Sequence, residues 1–235
     1  MKANRFFLLI LAFIYLSLSG FAQDYQLGNL TEKQNFGVRW ASAAQLHKFS
    51  KFTPLALTLY GFVATHSSPL KQVNFEFQEE ILEHHTHFRT HFDDYLQYTP
   101  LITTFTLKLA GDHGSNNFKR SFILFGTSTA LMAGTVFALK RSTHMLRPDG
   151  TDYNSFPSGH TATAFAGAEL LHQEFKNSSP IFSYSGYLAA SATGVLRMYN
   201  NKHYFSDVLA GAGIGILSTK AAYWLSAKVF KPQQH

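Results

Sequence analysis

Three short stretches of this chain concentrate residues that hold anions or move protons. The first is KRSTHMLRP, with Lys140, Arg147 and Pro148; the second is PSGH, Pro157 to His160; the third is LRMYNNKHYFSD, with Arg197, His203 and Asp207. Lys140, Arg147 and Arg197 supply three cations. The planar guanidinium fork grips phosphate oxygens bidentately, and lysine acts as a point charge. Ser158 adds a hydroxyl, and Gly159 permits close approach of backbone N–H groups. PSGH also stands where an apolar helix begins, and exposed N–H groups and the helix dipole there attract anions. The combination suits a tetrahedral oxyanion and the charge of a phosphoryl transition state.

Two histidines complete the chemistry. His203 and Asp207 are four residues apart and share one face of a helix. A carboxylate bonded to one ring nitrogen fixes the tautomer and leaves the other nitrogen free to attack, so His203 is the candidate nucleophile, by way of a phosphohistidine. His160 is the candidate general acid, protonating the leaving oxygen and then activating water. Two histidines in two roles need no metal or cofactor. Each stretch alone has a plain alternative: an interfacial helix end, an N-cap, a surface His–Asp pair. The ordered combination is what is specific.

The elements that must position these residues read as helices. Apolar segments run Phe52–Thr65, Thr99–Gly111, Ser121–Leu139, His160–Phe175, Pro180–Leu196 and Asp207–Phe230, rich in Ala, Leu, Gly and Phe and without strand alternation. Gly111, Pro148–Gly150, Pro157 and Pro180 punctuate them. The fold expected is an all-α helical bundle.

Composition narrows the class. The 235 residues suffice for one domain with a good core. Hydrophobic residues are 46% and charged residues 14%, fewer than usual. The net charge of +6 favours anionic partners but is spread along the chain, so nucleic acid is not implied. There is no cysteine, hence no disulfide and no thiol nucleophile. Residues 1–22 read as a secretory signal: Lys2 and Arg5 precede the apolar run Phe6–Leu18, and Gly20 and Ala22 offer a cleavage site before Gln23. An uncleaved anchor is the alternative. Residues 23–50 are polar, turning helical near their end, and 51–235 form the domain. Only Ser121–Leu139 approaches the length of a membrane span without a charge. The segments holding Lys108, Glu169 or Lys220 fit one poorly, and the mean hydropathy of −0.07 is low for a multi-pass protein. The balance leans to a periplasmic domain, soluble or held against the membrane.

Glu79–Asp94, EEILEHHTHFRTHFDD, reads as the strongest amphipathic helix, with Glu80, His84, His87 and His91 along one stripe. That stripe could ligate zinc, or be a solvated polar flank; nothing elsewhere completes a metal site.

The ordered pattern resembles the type 2 phosphatidic acid phosphatase (PAP2) family, which includes class A bacterial acid phosphatases and vanadium haloperoxidases. Its signature is Lys, six residues, Arg-Pro; then Pro-Ser-Gly-His; then Ser-Arg, five residues, His, three residues, Asp. Lys140 and Arg147-Pro148, Pro157–His160, and Arg197, His203 and Asp207 match it, over about 122–227. The resemblance implies phosphate binding by Lys140, Arg147, Ser158, Gly159 and Arg197. It makes His160 the acid, His203 the nucleophile and Asp207 its orienting partner, in a helical bundle of the PAP2/haloperoxidase type. Leu196 stands where the family has serine, which puts phosphate affinity in question. The expected activity is hydrolysis of phosphate monoesters without metal. The expected substrate is a phosphorylated lipid of the cell envelope or a small phosphomonoester, with possible membrane association. A soluble non-specific acid phosphatase, a vanadium haloperoxidase and a non-catalytic phosphate- or lipid-binding protein are the alternatives.

Overall fold

The structure, a computed structural model, describes residues 43–85 and 88–229, with side chains from Phe52 onward. The proposed signal segment 1–22 and most of the polar segment 23–50 lie outside the described residues. The described chain is helical throughout, with no strand among the described residues: α1 Ala43–Ala64, α2 Ser68–His85, α3 Phe92–Leu96, α4 Thr99–Leu109, α5 Phe118–Thr143, α6 Gly159–Phe175, α7 Pro180–Tyr199 and α8 Phe205–Val229. Each apolar segment of the sequence lies on one of these helices; Phe52–Thr65 and Thr99–Gly111 run one and two residues past the helix ends, and Phe230 lies outside the described residues.

Local chemistry sets the boundaries. The Asn117 side chain caps α5 by accepting from Arg120 N at 2.9 Å, and Ser158 caps α6 in the same way from Thr161 N. Pro100 and Pro180 sit in the first turns of α4 and α7, where a missing N–H costs nothing. The C-cap of α5 is His144, in the left-handed region at φ 42, and this turns the chain back toward α6.

The bundle centres on α6, buried almost along its whole length. Its alanines and glycines let neighbours close in. A Cβ at Gly211 of α8 would stand 2.6 Å from Ser158 O, so only glycine fits there. The main core joins Phe77 and Ile81 of α2, Phe165 of α6, Tyr184 and Tyr187 of α7, and Phe205 and Val208 of α8. Phe77 stacks on Phe205 with ring centroids 4.6 Å apart. Burying each such side chain contributes about 1.5–3 kcal/mol.

The structure corrects the amphipathic-helix expectation. Glu79–Asp94 is not one helix: α2 ends at His85, residues 88–90 are non-helical, and α3 begins at Phe92. The cause is tertiary. Asn200, after α7, accepts from Thr90 N and donates to Thr90 O, both at 2.9 Å, taking the backbone groups that helix continuation needs. Among the described residues no cluster of metal-binding side chains forms; His84 faces Glu80 at 3.6 Å and His91 faces Asp94 at 3.1 Å, while His87 lies outside the described residues.

Charges that argued against apolar surroundings are paired. Lys108 and Glu174 meet at 2.9 Å, both side chains 1% exposed or less, and Lys108 also donates to His113 O and Asn116 O. Glu169 pairs with Lys220 at 2.9 Å and accepts from Tyr187. Two helices, α5 and α8, are long and apolar enough to cross a membrane, so Lys220 does not disqualify α8 as the sequence suggested. They differ in setting: 22% of the apolar window of α5 is buried against 67% for α8. Phe118, Phe122, Ile123, Leu131 and Phe137 of α5 are exposed, as are Leu55, Leu59 and Phe62 of α1.

Candidate active site

One end of the bundle gathers the last turns of α5 and α7, the first turns of α6 and α8, the 144–158 loop and α3. The three motifs converge there. The positive charges of Lys140, Arg147 and Arg197 all act on His203, although 63 residues of chain separate Lys140 from it (203 − 140).

His203 is 1% exposed and Asp207 fully buried. Nδ1 of His203 lies 3.5 Å from Asp207 Oδ2, and Nε2 lies 3.5 Å from the Arg147 guanidinium. The imidazole thus stands between a carboxylate and a cation. Burial, and then the charges of Lys140, Arg147 and Arg197, hold its pKa well below the ordinary histidine value. The ring is therefore neutral near pH 7, the form that carries a lone pair. Asp207 Oδ2 accepts from Ser155 Oγ at 2.5 Å and from Tyr204 N at 3.0 Å, which orients the carboxylate toward the ring.

The cations are held in place by groups the motifs do not contain. Lys140 donates to Asn154 O. Arg147 Nε meets Asp152 Oδ1 at 2.9 Å. Arg197, 8% exposed, donates to Asp93 Oδ2 at 2.7 Å, and Asp93 is itself fully buried. Asn200 Nδ2 donates to the other Asp93 oxygen at 2.9 Å. Arg197 Nε is buried with no partner among the described residues, a free donor at the site.

His160 lies in the first turn of α6, its side chain 30% exposed. Its Nε2 lies 2.9 Å from Asp94 Oδ1. Burial and the Arg197 charge lower its pKa, while the Asp94 bond works against both. Asp94 is in turn held below its ordinary value: partial burial opposes this, but hydrogen bonds from His91 and His160 prevail.

Ser158 and Gly159 behave differently from each other. Ser158 is fully buried, and its Oγ lies 2.8 Å from Thr161 Oγ1 while capping α6. Its N–H donates to Asp207 O at 3.0 Å. The hydroxyl expected to meet phosphate is thus engaged within the protein, in the N-cap role that sequence offered as the plain alternative. Beside Gly159 there is space: an added Cβ would meet only Val136, at 4.0 Å. The Phe156–Pro157 peptide is cis. Leu196 is half-buried one residue before Arg197.

Asp93, Asp94 and Ser155 are the site residues that sequence reasoning missed. Ser155 stood two residues before Pro157, just outside the PSGH stretch. Asp93 and Asp94 carried no motif; the only signal was a pair of acids ending an amphipathic segment.

A helical bundle with a buried histidine among cations at its helix ends defines an anion-handling site. Comparison with known proteins gives this class a family. Residues 121–231 match the family model of the PAP2 superfamily. Over 145 residues the chain is 45% identical to the lipid A 1-phosphatase of Porphyromonas gingivalis, covering 61% of this chain and 33% of that protein. Over 82 residues it is 34% identical to lipid phosphate phosphatase 1 of Arabidopsis thaliana, covering 30% of this chain and 25% of that one. The chain spans a quarter to a third of the length of these curated relatives. Among solved structures, a transmembrane PAP2 type phosphatidylglycerolphosphate phosphatase from Bacillus subtilis superposes with a TM-score of 0.52 at 19% identity, over 77% of this chain and 100% of that one, a likeness of fold.

Proposed function

We propose that this protein is a metal-independent phosphatase that removes phosphate from lipid phosphate monoesters of the cell envelope through a phosphohistidine. The observation that carries the reading is the buried His203, with Asp207 Oδ2 3.5 Å from one ring nitrogen and the Arg147 guanidinium 3.5 Å from the other.

In this reading Lys140, Arg147 and Arg197, with the N–H groups at Gly159, hold the phosphate and neutralise its developing charge. Nε2 of His203 attacks phosphorus while Asp207 keeps the proton on Nδ1. The ester P–O bond breaks as the N–P bond forms, and protonated His160 delivers its proton to the leaving oxygen. Neutral His160 then takes a proton from water, whose oxygen attacks phosphorus. The N–P bond breaks, inorganic phosphate leaves, and both histidines return to their starting states. Ser158 acts by holding α6 at the site through its cap. The exposed apolar faces of α5 and α1 support a lipid substrate, since such faces suit acyl chains better than water. The membrane-associated, periplasmic placement belongs to the same reading.

The test is phosphate release from detergent-dispersed phosphatidic acid and from p-nitrophenyl phosphate, with EDTA present, for wild type and folded His203→Ala. Wild type should turn over the lipid faster, resist EDTA, and lose about a thousandfold or more on substitution. Labelled substrate should leave alkali-stable phosphate on wild type alone. Undiminished activity in His203→Ala would overturn the nucleophile; equal turnover of both substrates would favour the soluble acid-phosphatase reading.

A further inference from the structure

A second cavity, of about 460 Å³, opens beside the site between the α1–α2 turn, α2 and the 143–146 loop. Its lining brings together Lys71, His66 and His144, and none of its lining residues is acidic. Among the described residues no carboxylate lies within ion-pair distance of Lys71, which is half-buried. A half-buried ammonium without a counter-charge, beside two imidazoles, is a place for an anion.

Its walls are tied to the reaction site at three points. Asn74, one turn along α2 from Lys71, donates to Ser206 Oγ at 2.8 Å and accepts from Ser206 N at 3.1 Å, next to Asp207. Tyr204, the residue after His203, forms another wall and meets Phe75 edge-on at 5.7 Å. Met145 O accepts from Ser155 N at 2.9 Å, and Ser155 Oγ holds Asp207. The His144 wall is the spacer between Lys140 and Arg147. None of Lys140, Arg147, His160, Arg197 and His203 lines the cavity, but His144 and Met145 stand between Lys140 and Arg147 and Tyr204 directly follows His203, so the cavity adjoins the site. An anion there cannot be the scissile phosphate, but it can belong to the same headgroup.

We infer that this cavity is a headgroup subsite, in which Lys71, His66 and His144 bind a second anionic group on the lipid phosphate being hydrolysed. The inference rests on the proposed phosphatase reading and names its substrate class: lipids whose headgroup carries a phosphate monoester and a further phosphate or carboxylate. The exposed Phe75 and Leu146 at the cavity leave room for the apolar side of such a headgroup.

The experiment uses the full chain in mixed micelles at one fixed surface concentration. It compares kcat/KM for phosphatidic acid with that for phosphatidylglycerophosphate and for a bisphosphorylated glycolipid. Lys71→Gln removes the charge; His144→Asn removes the imidazole while tolerating the left-handed backbone there. Each should lower kcat/KM about fivefold on at least one two-anion lipid, through KM, and leave phosphatidic acid within twofold. Equal loss on all lipids would mean a structural role or general attraction to the anionic surface. Unchanged kcat/KM on every lipid would mean an unused cavity. Both overturn the inference. Binding of the same lipids in nanodiscs reads the subsite without turnover. If wild type hydrolyses nothing, the phosphatase reading fails on its own. The subsite then stands only if Lys71→Gln still weakens binding of a two-anion lipid, and not of phosphatidic acid; inorganic phosphate binding that responds instead would identify a free-anion site and overturn it.

Discussion

Asp94 Oδ1 lies 2.9 Å from Nε2 of His160, across 66 residues of chain. The contact has two opposite consequences for a histidine proposed to donate a proton. It favours the protonated ring, offsetting part of the lowering due to burial and Arg197. It also occupies one of the two ring nitrogens and puts a carboxylate near an anionic substrate.

The first consequence has a pH signature. A general acid works only while protonated, so the basic limb of kcat/KM follows the pKa of His160 in the free enzyme. Asp94→Asn removes the interaction that raises that pKa. The basic limb is expected to move to lower pH, with activity at pH 8 falling more than activity at pH 5.5. His203 must be neutral and is held well below its ordinary value, so the acid side should be little affected. A pH–rate profile on phosphatidic acid checks this; a limb that stays in place would remove Asp94 from the chemistry.

Asp93 is expected to matter for stability in a way that phosphate relieves. It is the buried counter-charge of Arg197. Breaking such a pair leaves a buried charge unpaired and costs about 3 kcal/mol. Asp93→Asn should therefore unfold more readily in urea. Saturating inorganic phosphate or vanadate should restore more stability to the variant than it adds to wild type, because the anion takes the place of the carboxylate.

Ser155→Ala removes one of the two hydrogen bonds to the inner oxygen of Asp207. A hydrogen bond to a charged group is worth about 1.5–3 kcal/mol. The expected result is kcat lowered about tenfold with KM nearly unchanged, because His203 loses orientation rather than the site losing a phosphate contact. Ser155→Thr keeps the hydroxyl and should recover most of the rate. Steady-state kinetics on one lipid substrate decide it.

Lys108→Met tests the far end of the bundle. It strips the partner from Glu174, which also accepts from Asn116 and Tyr223. Denaturant unfolding should show a loss of about 3–5 kcal/mol. Activity per folded molecule should stay within twofold, since none of these groups belongs to the reaction site.

Much of this arrangement is legible along the chain. Lys140, Arg147, His160, Arg197, His203 and Asp207 are spaced so that helix ends carry them, and the apolar runs locate six of the eight helices among the described residues. The Glu79–Asp94 reading failed because amphipathic periodicity reports what a segment would do alone. Asn200 takes the backbone groups of Thr90, breaks the helix there, and holds Asp93 inward. Lys220 misled for a related reason: a charge read singly argued against a span, and only packing pairs it with Glu169 of another helix.

The sequence by itself determined the helical class and the identity and order of the groups suited to phosphate chemistry, because both depend on residue type and on spacing within a turn or two. Tertiary structure alone decided which acids balance those groups. Arg197 and Asp93 are 104 residues apart, His160 and Asp94 66, and Ser155 and Asp207 52. Asp and Ser are common residues, and nothing local distinguishes one that will be buried against a cation from one that will face water. The bundle brings helix ends from distant parts of the chain to one point, and there the desolvated charges must find partners or stay unpaired at high cost.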